Sequence, residues 1–434
     1  MRDEMCGRIT ILVSTLMLGC SEPSPSTRRN DPAGVTSTPT CYTLVHRAGP
    51  RAALAVLDLD DHGRVLIQTN DANMYVGVPG EFTLLPRPTG SSVTAYELPD
   101  PLNNRGEVIA RSTTDWPRRS FIWRDGAPTE IRAPDGSETL AAAISDEGHV
   151  VGQWRLGARA FLYRGGTTID LGEGSAIAIN RSDQALIYQT LREGESRQPE
   201  AAWLWTDGTR IPIDAPAGRG LSVGRFPRSR HLNARGEVAG NLLVLESGGE
   251  NYPLSAFIWR AGVALELPSL GGKYVLHHED GDSVTISTAD AINRRGDVVG
   301  ASANASGELR AVLWRDGKLI DLQAPVGSFS RAIAVNDRGE ILVSWTPPKQ
   351  DPVRESRAFV WREGIVSDLV GSRGARSLRL NERGEVVGQL AANTLGWWRP
   401  ECPPSADGGA GTHDAGPSTD AEPPPPAEEG ESEE

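Results

Sequence analysis

The sequence predicts an all-β protein folded as a β-propeller of four-stranded blades, with eight blades as the first expectation and seven as the alternative. Three observations carry that expectation: a turn motif that recurs, an aromatic that recurs at one strand position, and a mean spacing between repeats of about 46 residues, the period of propeller blades and roughly twice that of a β-helix rung. The turn is Asn-x-x-Gly or a degraded form of it, beginning at Asp60, Asn103, Ser145, Asn180, Asn233, Asn293, Asn336 and Asn381. The aromatics are Trp123, Tyr163, Trp205, Trp259, Trp314, Trp361 and Trp398. A residue that returns at one strand position is what packing of blade on blade requires, so these are expected in the core and not in a ligand cage.

One repeat, Ala289 to Leu322, shows why each element forms. Ala289 to Asn293 reads as a short strand, and Asn293 to Gly296 as the turn after it: Asn bonds its own backbone two residues on, and Gly accepts a positive φ. The Val-rich return, Asp297 to Gly300, makes a hairpin. After a variable loop, Arg310 to Arg315 forms a third strand with Val312 and Trp314 on one pleat face, and Asp316-Gly317 turns the chain into a fourth, Leu319 to Leu322. A folded region of this length exceeds what a single hydrophobic core usually supports; a repeat array avoids the limit because each pair of neighbours has its own core.

The runs AFLYRGG at Ala160, AFIWRAG at Ala256 and AFVWREG at Ala358, each following an AINxxGxVVG-like run, resemble the bacterial extracellular repeat family called HAF. The similarity covers Leu54 to Arg399. The first repeat departs most, with MYVGVPG at Met74, and the fourth has Asp183 where Gly is expected. The resemblance implies fold and an extracytoplasmic location. It supplies no catalytic residues.

Residues 1–19 read as an export signal, in which Arg2 and Arg8 precede an apolar run, Ile9 to Leu18, too short for an ordinary membrane-spanning helix. Met17-Leu18-Gly19-Cys20 resembles the bacterial lipobox, which implies lipidation of Cys20; a plainly secreted form is the alternative. Ser21 after the Cys implies outer-membrane sorting by the same resemblance. Residues 20–40, rich in Ser, Pro and Thr, read as a tether.

Of the four cysteines, Cys6 lies in the leader and Cys20 takes the lipid, leaving Cys41 and Cys402 at the two ends of the array, residues 41–402. The eighth repeat stops after its third strand, whereas Tyr42 to Val45 is a strand-like run ahead of the first. The expectation is ring closure, with the N-terminal strand completing the last blade and a Cys41–Cys402 disulfide locking it in an oxidising compartment. Residues 403–434 form a Pro-rich tail with no Lys or Arg and nine Asp or Glu, so −9 of the net charge of −13 belongs to a segment expected to be disordered. The acidity therefore says little about what the propeller binds. No polybasic run points to nucleic acid.

Strand alternation puts the Asn-x-x-Gly and Asp-Gly turns on one face of the ring, and the connections of variable length on the other, where binding groups are expected. Two long connections stand out. A basic stretch contains Arg225, Arg228, Arg230 and His231, suited to a sulfated or carboxylated polymer or an acidic partner. The other, His277, His278, Glu279, Asp280 and Asp282, concentrates ligands for a divalent metal, in a spacing that matches neither a zinc finger nor an EF-hand. No nucleophile elbow, HExxH helix, P-loop or dinucleotide fingerprint is present. The sequence thus points to a monomeric, lipid-anchored binding scaffold at the cell envelope, with an envelope protein or extracellular glycan as partner and no required cofactor. A propeller lyase or hydrolase acting on glycans is the alternative.

Overall fold

A computed structural model describes residues 41–46, 53–96, 98–155, 159–190, 200–223, 230–245, 253–276, 283–348, 355–390 and 394–400. Every named element among them is a strand, and these form eight four-stranded antiparallel blades. The blades begin, in order, with Ala53–Leu59, Val93–Thr94, Thr139–Ile144, Ser175–Ile179, Arg219–Ser222, Ser287–Ile292, Phe329–Val335 and Arg376–Leu380. The eighth ends on Thr394–Arg399 and takes its outermost strand from Thr43–His46, which pairs antiparallel with it through Thr43↔Arg399 and Leu44↔Trp398. The expected closure of the ring by the N-terminal strand is present, and the blade count is eight. Asn381 of the last blade bonds to the Asp60 carbonyl of the first, 2.9 Å away, so the ring is continuous across the seam.

Blade 6 shows the local causes. Its first two strands meet at the Asn293 turn, where Gly296 adopts φ 86°. A two-residue turn with both φ positive, Asp316 at 51° and Gly317 at 72°, then joins Leu309–Arg315 to Lys318–Asp321, the geometry that matches the twist of a hairpin. The Gly of the Val-Val-Gly run has a separate cause. A Cβ on Gly300 would stand 1.9 Å from the Thr288 carbonyl oxygen, so the second strand lies against the first only because the side chain is missing.

The core lies between blades. Trp314 packs with Ile258, Ala239 and Ala256 of blade 5 and with Ala289 and Val312 of its own blade. Its indole N–H donates to the Pro268 carbonyl at 2.7 Å, as Trp123 does to Pro86 and Trp398 to Val370, both at 2.9 Å. The repeated Trp thus fills the interblade gap, and in blades 2, 6 and 8 it also ties its strand back to the preceding blade, whereas the buried indole N–H groups of Trp259 and Trp361 make no such bond among the described residues. The expected packing role is borne out.

Two irregularities matter for function. The first strands carry a register shift just before the turn, at Ala141/Ala143, Ala176/Ala178, Ala289/Ala291 and Ala332/Ala334. In blades 2 and 5 this one-residue bulge is enlarged: the first strand breaks after Thr94 and after Ser222, then rejoins its partner at Leu102↔Val108 and at Leu232↔Val238. Between blades 5 and 6 a further hairpin, Tyr274–Leu276 with Ser283–Thr285, attaches to blade 5 through Leu254↔Thr285.

Candidate functional site

The face built from short turns is bonded to itself around the ring. Asn103, Asn180, Asn233, Asn293, Asn336 and Asn381 each donate a side-chain N–H to the carbonyl of the equivalent turn residue one blade on, over 2.9–3.1 Å. Each amide oxygen accepts the backbone N–H groups two and four residues later in its own turn, as Asn381 does from Arg383 (3.0 Å) and Glu385 (2.9 Å). The two exceptions are compensated. Asp60 has no amide to donate, but Arg64 pairs with it at 2.6 Å and donates to the Asn104 carbonyl of blade 2 at 2.7 Å. At Ser145, Arg181 reaches back to Asp146 at 2.8 Å, while Asp183 takes φ 56° in the Gly position and holds His149 at 2.6 Å. The turn residues of this face thus form a closed polar lattice that uses most of their donors and acceptors, Glu147 Oε2 being a buried oxygen without a hydrogen-bond partner among the described residues.

The axial channel is crossed by charge. Arg230, on the rejoined first strand of blade 5, donates to Asp100 of blade 2 at 3.0 Å and lies 3.9 Å from Asp58 of blade 1. Blades 2 and 5 are not neighbours, so this contact spans the axis. The Asp58 carboxylate also accepts the N–H groups of Leu59 (2.9 Å) and Leu102 (3.2 Å). Burial pushes its pKa up to about 6, and Asp100 adds to the rise, against the opposing pull of Arg230 and Arg379. Asp100 holds the Arg230 guanidinium well above its ordinary range. A second pair, Arg331 with Asp290, joins the first strands of blades 7 and 6, the acid standing at a bulge.

The opposite face carries the long connections. Arg230 and His231 belong to the inner strand of blade 5; His231 is buried and its Nδ1 lies 2.9 Å from the Ala239 carbonyl. Arg219 of the same basic stretch pairs with Glu266 at 2.9 Å. Arg225 and Arg228 lie outside the described residues, as do Cys20, Cys402 and the five candidate metal ligands His277, His278, Glu279, Asp280 and Asp282. The described hairpin pair Leu276↔Ser283 brackets that acidic, His-containing run. Among the described residues, no group of three or more His, Cys, Asp or Glu side chains is arranged to hold a metal ion. Cys41 is half-buried, two residues before Thr43.

Sequence reasoning missed the channel charges. Part of their signal was available: three residues before each turn motif stand Leu57, Asp100, Ala142, Ile177, Arg230, Asp290, Ile333 and Leu378, so Asp100, Arg230 and Asp290 are charges at otherwise apolar places, whereas Asp58, two residues before its turn, carries no such mark.

These features define a closed eight-bladed β-propeller with one self-bonded face and one face of variable loops. No family model and no curated protein matches the chain. Among solved structures it is similar to the computationally designed Ika8 protein, at 15% identity and TM-score 0.47, covering 81% of this chain and 98% of that one. It is also similar to the β-propeller domain of the Trilobed protease from Pyrococcus furiosus, at 11% identity and TM-score 0.43, covering 77% and 97%. A third is virginiamycin B lyase from Staphylococcus aureus, at 12% identity and TM-score 0.39, covering 82% and 99%.

Proposed function

We propose that the protein is an exported propeller of the HAF-like type, anchored in the outer membrane through a lipid on Cys20. In this reading it acts there as a monomeric, non-catalytic scaffold that binds an envelope protein or an extracellular glycan. The observation that carries the reading is the contrast between the two faces. The turn face spends its polar groups on its own lattice, whereas the other face carries connections as different as Thr190 to Glu200, Thr346 to Arg357 and Asp321 to Phe329 on a rigid ring. Residues 20–40 serve as the tether, Cys41 and Cys402 as a disulfide at the seam, and Arg225 and Arg228 as part of the binding loops. Divalent metal at His277 to Asp282 is an accessory to this reading and not a requirement of it.

Fractionation of cells carrying the wild type and Cys20→Ala tests the address. The wild type is expected with the outer membrane and the variant in soluble fractions; identical fractions overturn the anchor. Crosslinking in cells, followed by denaturing purification and mass spectrometry, tests the scaffold, which is expected to bring down a reproducible partner of unchanged mass. The second reading, a propeller enzyme acting on glycans, is favoured by one feature, the Asp58 carboxyl raised to about 6 beside Arg230. Shortened or unsaturated glycan after incubation would decide for it.

A further inference from the structure

On the variable face, a cleft of about 260 Å³ opens between blades 2 and 3, lined by Pro117, Arg118, Arg119, Glu130 and Arg132. Bonded to Pro117 is Trp116, which is 75% exposed, more than any other aromatic among the described residues. Its loop is held firmly. Asp115 accepts from Ser91 Oγ at 2.6 Å and from Arg119 at 2.8 and 3.0 Å, and Thr113 donates its N–H to the Ser92 carbonyl at 2.9 Å. An indole on a pinned loop, turned to solvent, contributes nothing to the interblade core that its counterparts fill.

The charges beside it are cationic and partly unspent. Arg118 is exposed and has no ion pair among the described residues, its backbone carbonyl being fixed by the Thr139 N–H at 3.0 Å. Arg132 projects into solvent, its Nε and one Nη donating to Glu130 at 3.2 and 3.1 Å, which leaves its other Nη without a protein acceptor among the described residues. The cleft in the corresponding place between blades 4 and 5, about 290 Å³, is lined by Glu200, Asp214 and Arg219, and that arginine is already paired with Glu266. Trp203 lines that cleft too, with the Arg210 guanidinium 4.2 Å from the centre of its ring, so what sets the cleft between blades 2 and 3 apart from it is the exposed Arg118 and the exposed indole next to Pro117.

We propose that this cleft is a subsite for one uronate residue of an anionic glycan, with the sugar ring stacked on Trp116 and its carboxylate between the guanidinium groups of Arg118 and Arg132. A flat aromatic face takes the C–H side of a pyranose, and the guanidinium fork matches a carboxylate. The volume lies below the roughly 300–1,000 Å³ of sites that enclose a whole small molecule, which fits one unit of a chain lying across the surface. The proposal rests on the scaffold reading and narrows its partner to an acidic polysaccharide.

The test uses the full-length protein in detergent micelles, titrated calorimetrically with oligomers of galacturonate, of mannuronate and guluronate, and of glucuronate, with neutral dextran oligomers and poly-glutamate as controls. At least one uronate series is expected to bind, and Trp116→Ala and Arg118→Ala to weaken that binding tenfold or more while Tm stays within about 1 °C. Binding that is indifferent to both substitutions overturns this subsite and leaves the scaffold reading standing. Equal affinity for dextran or for poly-glutamate overturns the uronate assignment, since stacking alone or charge alone would then suffice. No binding of any uronate series overturns the proposal and leaves the scaffold reading to an envelope protein or a glycan without uronate.

Discussion

Replacing Asn381 with Ala removes the side chain that joins the last blade to the first. In the native ring its Nδ2 donates to the Asp60 carbonyl and to Glu385 Oε2, both at 2.9 Å, while its Oδ1 accepts from Arg383 and Glu385. Asn381 is 2% exposed and Glu385 5%, so water does not readily replace what is lost. Each hydrogen bond contributes about 1 kcal/mol net, and a buried group left unpaired costs about 1–3 kcal/mol. Allowing for relaxation among four bonds that share partners, the loss comes to about 3–5 kcal/mol, at the upper end for a point substitution. Urea unfolding followed by tryptophan fluorescence measures it. Asn381→Asp keeps the acceptor but forfeits both donations and sets a second carboxylate against Glu385, so at neutral pH it is expected to be at least as damaging as Ala. A loss below about 1 kcal/mol for Ala, or full tolerance of Asp, would refute the role assigned to these amides.

Three other expectations can be checked independently. Asp58 has a folded pKa raised from 3.8 to about 6, so its contribution to stability is fully present below pH 4 and is lost as pH rises through 6; the wild type should gain on the order of 1 kcal/mol from this group between pH 7 and pH 5, and an Asp58→Asn variant with the same pH dependence would contradict it. If Cys41 and Cys402 are joined, mass spectrometry of exported protein should find neither thiol alkylated before reduction, and Cys402→Ser should lower stability by up to about 5 kcal/mol; alkylation of both in the folded protein would end that idea. Trp314→Phe gives up the 2.7 Å bond to Pro268 and part of the volume between blades 5 and 6, which should lower stability by about 1–3 kcal/mol by calorimetry; an unchanged Tm would show that the interblade contact is not set by the indole.

What could be read from the residues alone was whatever repeats. Asn293, Gly296 and Trp314 return often enough that their spacing gave the strand order, and Tyr42 to Val45 could be placed in the last blade because that blade lacked a strand. The reason for the Asn was only half visible, since turn chemistry explains the oxygen but not the amide that reaches the next blade. Arg230 was legible as a basic residue but not as a channel residue, because an enlarged bulge and a surface loop look alike in one dimension. The extra hairpin at Tyr274–Leu276 and Ser283–Thr285 likewise has no counterpart in the other repeats from which it could have been inferred. Trp116 fell outside the recurring strand position, and that departure was its signal.

The pairing of the first strand with the last also has a mechanical side. The chain enters its first strand at Thr43 and leaves its last at Arg399, and these two residues face each other at the same end of one antiparallel pair. Tension applied between the two termini is therefore borne by that end alone. It opens Thr43 from Arg399, then Leu44 from Trp398, one rung at a time, where a parallel pair would have loaded all its rungs together. Left to hydrogen bonds, a ring closed this way resists heat better than it resists pulling, and a covalent tie at that end would convert the weakest point under load into the strongest.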